Sequence, residues 1–111
     1  MYTQTSTLTN VTAGGIYPGQ AVVSVPAGKY IVIREAYRSG GFDASTVMLR
    51  VGRNMNDGGY VISTTMNNGI LQHIEYLSVN KTTSINSYVV VDTVSTTGQS
   101  VIVRTSAIKI A

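Results

Sequence analysis

Thr46-Val47-Met48-Leu49-Arg50-Val51 is the stretch that decides the fold class. In an extended chain Val47, Leu49 and Val51 share one face and Met48 and Arg50 the other, a period of two that no helical spacing reproduces. Such a segment is a half-buried strand. Outward from it, short apolar stretches recur roughly every 10 to 15 residues, the spacing of a sandwich or barrel and not of βαβ units. Strands are expected near Thr5 to Thr12, Gln20 to Val25, Lys29 to Tyr37, Thr46 to Val51, Tyr60 to Thr65, Ile70 to Ser78, Ile85 to Val94 and Ser100 to Ile110. Between them Pro26-Ala27-Gly28, Ser39-Gly40-Gly41, Asn56-Asp57-Gly58-Gly59, Asn67-Asn68-Gly69 and Thr97-Gly98 supply residues that accept turn dihedrals.

The reading is an all-β antiparallel sandwich of about eight strands. Val23, Val25, Val32, Val47, Leu49, Val51, Leu71, Val90 and Val103 are the expected core residues. In the last strand Val101 and Val103 fall on the face opposite to Ile108 and Ile110, so a bulge or bend is expected near Thr105 to Ala107, with its end free to switch sheets. The only run of helix formers, Ile33 to Arg38, is too short to stand as a helix. Residues 1–12, rich in Thr and poor in large apolar side chains, read as an N-terminal arm or as an edge strand that pairs with a neighbouring subunit; residues 13–111 read as one domain.

Composition narrows the function classes. At 111 residues one core is expected, and 43% apolar with only 12% charged residues is not the composition of a disordered chain. With no cysteine, neither a disulfide framework nor a thiolate metal site can form. The opening residues lack the basic start and apolar run of a signal peptide, and no stretch approaches a membrane span. The net charge of +3 is spread over Lys29, Arg34, Arg38, Arg50, Arg53, Lys81, Arg104 and Lys109 with no basic run, so neither nucleic acid nor a membrane is an expected partner.

No residue set stands out as catalytic, cofactor-binding or metal-ligating. His73 is the only histidine and lies in Leu71-Gln72-His73-Ile74-Glu75, where alternation makes it an ordinary strand residue and no Gly-x-Ser-x-Gly elbow accompanies it. His73→Ala is therefore expected to change little. Asp43 and Asp57 sit in turns, where Asp bonds its own backbone, and Glu35, Glu75 and Asp92 in strands. Asn54-Met55-Asn56-Asp57-Gly58-Gly59 has one carboxylate, too few for a calcium loop, so chelators are expected to leave folding unchanged. Gly14-Gly15 and Gly40-Gly41 lack the strand-to-helix setting of a phosphate loop. The Asn10 and Asn80 triplets match the glycosylation pattern but carry no weight without a secretion signal. Seven tyrosines against one phenylalanine leave two readings open: Tyr30, Tyr37, Tyr60, Tyr76 and Tyr88 either form a contact surface or flank the core with their hydroxyls at its edge.

Val23-Ser24-Val25-Pro26-Ala27-Gly28-Lys29-Tyr30-Ile31-Val32-Ile33, then Ser45-Thr46-Val47-Met48-Leu49-Arg50-Val51-Gly52, resembles small virion proteins of tailed bacteriophages. The closing Ser100-Val101-Ile102-Val103-Arg104-Thr105-Ser106-Ala107-Ile108-Lys109-Ile110 is similar to their last strand; Asn80-Lys81-Thr82-Thr83-Ser84 departs from the Gly-Asp turn they often carry. The resemblance implies a jelly-roll sandwich on the capsid or tail, often oligomeric, with no catalytic residues. The expected function is thus a non-enzymatic virion structural protein, a capsid decoration or auxiliary protein. Its expected partners are other virion proteins, the major capsid or tail protein, and copies of itself, with no cofactor and no small-molecule substrate. Synthesis in a host cytoplasm and residence in the virion follow. The alternatives are a tail or neck component, or a carbohydrate- or receptor-binding sandwich module that uses Tyr, Asn and Gln side chains. Docking is expected through the 1–12 arm and through strand edges or Tyr-bearing faces.

Overall fold

Alternation of large and small, apolar and polar side chains carries straight into backbone. A computed structural model describes residues 1–39, 47–53, 61–65, 70–94 and 98–111. Its strands are β1 (Tyr2–Leu8), β2 (Ile16–Val25), β3 (Gly28–Ser39), β4 (Val47–Gly52), β5 (Val61–Thr65), β6 (Ile70–Val79), β7 (Thr83–Val94) and β8 (Ser100–Lys109), with no helix among the described residues. They form two antiparallel four-stranded sheets, ordered β1-β8-β3-β6 and β2-β7-β4-β5. Every connection except β4 to β5 passes from one sheet to the other, which is the topology of a jelly roll.

The core lies between the sheets in three layers. At one end Val23, Val25, Tyr30, Val32, Ile85 and Ala107 pack together, with the Tyr30 hydroxyl donating to the Pro26 carbonyl at 2.7 Å. At the other end Val51, Leu71, Val89, Val91, Val101 and Val103 pack with Leu8 and Val11. Between them runs a polar layer of Arg34, His73, Ser87 and Thr105, each at most 4% exposed. Register explains the layer: Arg34 on β3 stands between His73 on β6 and Thr105 on β8. The Ser87 and Thr105 hydroxyls meet at 2.7 Å and tie the two sheets together. A buried polar group costs stability unless it finds a partner. This layer therefore fixes which residues of each strand can stand opposite one another.

Two expectations need correction. Val90 is half-buried and faces outward, because β7 turns Ile85, Ser87, Val89 and Val91 inward. No bulge interrupts β8, which keeps an unbroken register with both β1 and β3 and stays in one sheet. Thr105 and Ala107 continue the inward face of Val101 and Val103, so Ile108 points outward on a straight strand. Tyr2–Leu8 is an edge strand that pairs with β8 of its own chain, from Tyr2 opposite Ala107 to Leu8 opposite Val101. The irregularity sits in β2, whose register on β7 shifts on both sides of Gln20, where Gly19 and Ala21 have positive φ. Of the expected core, Val47 and Leu49 have side chains outside the described residues; Val23, Val25, Val32, Val51, Leu71 and Val103 are buried.

Candidate docking face

In an antiparallel sheet with one face on the core, the other face is ordinarily polar. Here it is not. Burial of Tyr30, Val32, Arg34, Ala36 and Arg38 sends Ile31, Ile33, Glu35 and Tyr37 of β3 outward. On β6 Leu71 and His73 turn inward and leave Ile70, Gln72, Ile74 and Tyr76 exposed. On β8 the outward set is Ile102, Arg104, Ser106 and Ile108.

Register arranges these side chains in rows across the sheet. Ile108, Ile31 and Tyr76 make one row; Ser106, Ile33 and Ile74 make the next. Arg104, Glu35 and Gln72 make a third, and Ile102, Tyr37 and Ile70 a fourth. β1 extends the middle rows with Thr3 beside Ser106 and Thr5 beside Arg104. Eight large apolar side chains thus share one surface, and Ile70, Ile74 and Tyr76 are each about 60% exposed. Single exposed hydrophobic residues need no explanation, whereas a contiguous set marks a contact surface.

One polar row crosses this face. Arg104 donates to Glu35 Oε1 from Nε at 2.9 Å and from its terminal nitrogen at 2.7 Å, and Gln72 approaches Glu35 Oε2 at 3.4 Å. Hydrogen bonding to Glu35 and its negative charge hold the Arg104 guanidinium above its ordinary pKa. Within these four rows the ion pair is the charged feature, and Lys29, beyond them on β3 opposite Ser78, carries the next charge on this side of the sheet.

A second concave region opens between the sheets, a cleft of about 280 Å³ lined by Arg34, Arg53, Glu75, Leu77, Ile85 and Asn86 among others. Arg34 donates to Glu75 Oε2 at 2.8 Å and to the Asn86 carbonyl at 2.7 Å, and Arg53 stands 3.6 Å from Glu75 Oε1. Two guanidiniums around one carboxylate engage Glu75 as an acceptor. His73 lies two residues before Glu75 on β6, and its pKa is lowered, first by burial and then by the Arg34 charge, with Glu75 acting against both.

Glu35, Glu75 and Asp92 are each held by a different arginine, Asp92 by Arg50 at 2.9 Å. Asp43, Asp57 and the Asn54 to Gly59 loop lie outside the described residues, as does Tyr60. Among the described residues no group of three or more His, Asp or Glu could hold a metal ion. No described helix is long and apolar enough to cross a membrane. The tyrosines divide: Tyr30 and Tyr88 are buried, Tyr37 is half-buried on the outer face, and Tyr76 is exposed there. Sequence reasoning had singled out the tyrosines and missed the isoleucines. The signal was present in Tyr30-Ile31-Val32-Ile33, where both alternating sets are apolar.

No family model matches the chain. No curated protein matches it. Among solved structures, a mutant of a carbohydrate binding module family 29 is similar over 94% of this chain and 92% of that one, at 9% sequence identity and a TM-score of 0.34. At that level the likeness says nothing of what this chain binds.

Proposed function

We propose that this chain is a non-enzymatic structural protein that docks onto a larger assembly through the outer face of the β1-β8-β3-β6 sheet, and that the assembly is a bacteriophage virion in which it serves as a capsid decoration or auxiliary protein. The observation that carries the docking reading is the set of eight apolar side chains on a face that water would otherwise cover. The virion reading draws on the Val-Pro-Ala-Gly-Lys strand ending at Val25 to Lys29 and on the closing strand from Ser100 to Ile110, which resemble small phage virion proteins. Burial of such a face against a partner supplies the favourable term in association, and repetition on a lattice multiplies it.

The test is incorporation. Purified particles are analysed by mass spectrometry with the wild-type chain and with Ile74→Glu, a change at a site 59% exposed that leaves the core untouched. Presence of the wild type and loss of the variant at unchanged thermal stability is the expected result; normal incorporation of the variant would move docking elsewhere. The alternative, a carbohydrate- or receptor-binding module, draws on Tyr76 and Gln72, which share the outer face of β6 on either side of Ile74, a ring and an amide that a sugar could use. Glycan binding abolished by Tyr76→Ala would favour it over virion docking.

A further inference from the structure

Resting on the docking reading above, we infer that the occupant of the outer face is a second copy of this chain, packed face to face about a two-fold axis. That axis runs along the strands, between β3 and β8. The argument begins with charge. An isologous interface must be complementary to itself, so each charged group at its centre needs the opposite charge at the symmetry-related position. The face carries one carboxylate and one guanidinium on adjacent strands, Glu35 on β3 and Arg104 on β8, in a single row. A two-fold axis between those strands exchanges them and lays Glu35 of each copy over Arg104 of the other. Four charges then alternate in sign around a closed ring.

The same operation lays β3 of each copy over β8 of the other and β6 over β1, so that Ile33 faces Ser106 and Ile74 faces Thr3. Ile31 of one copy meets Ile108 of the other, and Tyr37 meets Ile102, because each pair shares a row across β3 and β8. An axis running across the strands through the same row would instead set Glu35 against Glu35. Among two-fold axes through this row, the one along the strands is the one that sets opposite charges together. Stacked sheets lie about 10 Å apart with strands within about 30° of alignment, as the sheets of a single sandwich do. β3 and β8 run straight in unbroken register and can meet that geometry.

Area agrees. Four strands about 4.8 Å apart and an exposed length of about 30 Å give on the order of 600 Å² per copy, or on the order of 1,200 Å² for the pair, the lower end of specific interfaces. That size is at the upper end of what monomers leave exposed and suits a dimer that forms reversibly with concentration.

The test uses the full chain in sedimentation velocity across a wide concentration range. A concentration-dependent dimer is expected. Glu35→Arg and Arg104→Glu alone should each weaken it by about a hundred-fold or more, since like charges then oppose one another at the axis. Mixing the two variants should restore a dimer containing one of each. Loss of the ion pair within one chain cannot produce that rescue, so it separates self-pairing from a structural role. Circular dichroism confirms that the variants are folded, and Ile74→Glu, in the row next to the ion pair and without contact to it, should also give monomers. A wild type that stays monomeric throughout, or variants that fail to pair on mixing, would overturn the inference. If Ile74→Glu still abolishes particle incorporation in that case, the docking reading stands and only the second copy falls.

Discussion

Ala21 is buried at 2% exposure yet has φ of +50°, a conformation in which an L side chain is strained. Its amide donates to the Ser6 hydroxyl at 2.9 Å, which links β2 to β1 across the sheets and holds the residue there. Replacing Ala21 by Gly relieves that strain and loses one buried methyl, so stability should change by less than about 0.5 kcal/mol. Ala36→Gly, on a regular strand at 0% exposure, should cost about 1 kcal/mol or more. Urea denaturation of both variants checks the contrast. His73 gives the second prediction at this scale. Burial and Arg34 lower its pKa in the folded chain, so below the ordinary value of 6.5 the unfolded chain takes up the proton first. Stability from neutral His73 is complete above about pH 6.5 and declines as pH falls toward the lower folded value. Thermal unfolding from about pH 7 to 5 should therefore fall more steeply in the wild type than in His73→Gln. The same burial revises the view of His73 as dispensable: His73→Ala should cost about 1–3 kcal/mol, because it opens a gap in the polar layer.

At the scale of elements, β1 changes meaning once its partner is known. Its Thr-rich composition suggested an arm for a neighbour, but Leu8 and Val11 close one end of the core and the β1 backbone completes β8. Deleting residues 1–10 should lower the melting temperature by about 10 °C or more, since a whole strand ladder and a core side chain go with it. A truncated chain that melts like the wild type would return the segment to the role of a loose arm. Strand positions were legible in the sequence because alternation is a local property, and each of the eight fell within a few residues of its place. The error at Val90 came from Val89-Val90-Val91, where three like residues carry no phase and only packing against the facing sheet chooses two of them. The imagined bulge in β8 came from the rule that apolar residues face the core; the register is unbroken, and the second face carries Ile102 and Ile108 as well. β2 hid the reverse case. Its shifts around Gln20 depend on positive φ at Gly19 and Ala21, and an alanine in that region leaves no trace in composition. With Pro18 beside it, this edge is blunted against pairing with other chains.

For the whole molecule, the outer face and the core should respond oppositely to the same chemistry. Ile31→Thr and Ile74→Thr, measured in dilute solution, should each shift stability by less than about 0.5 kcal/mol, whereas Val32→Thr, between them in sequence and at 0% exposure, should cost about 1–3 kcal/mol. Guanidinium denaturation of the three variants reads the difference. The candidate site was half legible: β3 announced apolar residues on both faces, but their assembly into rows needs strands from opposite ends of the sequence. The row of Arg104, Glu35 and Gln72 joins residues that no spacing rule connects. The pairing of β1 with β8 has a further consequence, which concerns time. Tyr2 lies opposite Ala107, so during synthesis β1 leaves the ribosome roughly a hundred residues before its ladder exists. The sheet carrying the apolar outer face cannot close until translation reaches β8, and folding should be slow for a chain of this size. A first strand whose middle, Thr3 to Thr7, is threonine, serine and glutamine is well suited to that delay, because between Tyr2 and Leu8 it waits in water without the large apolar side chains that drive nascent chains together.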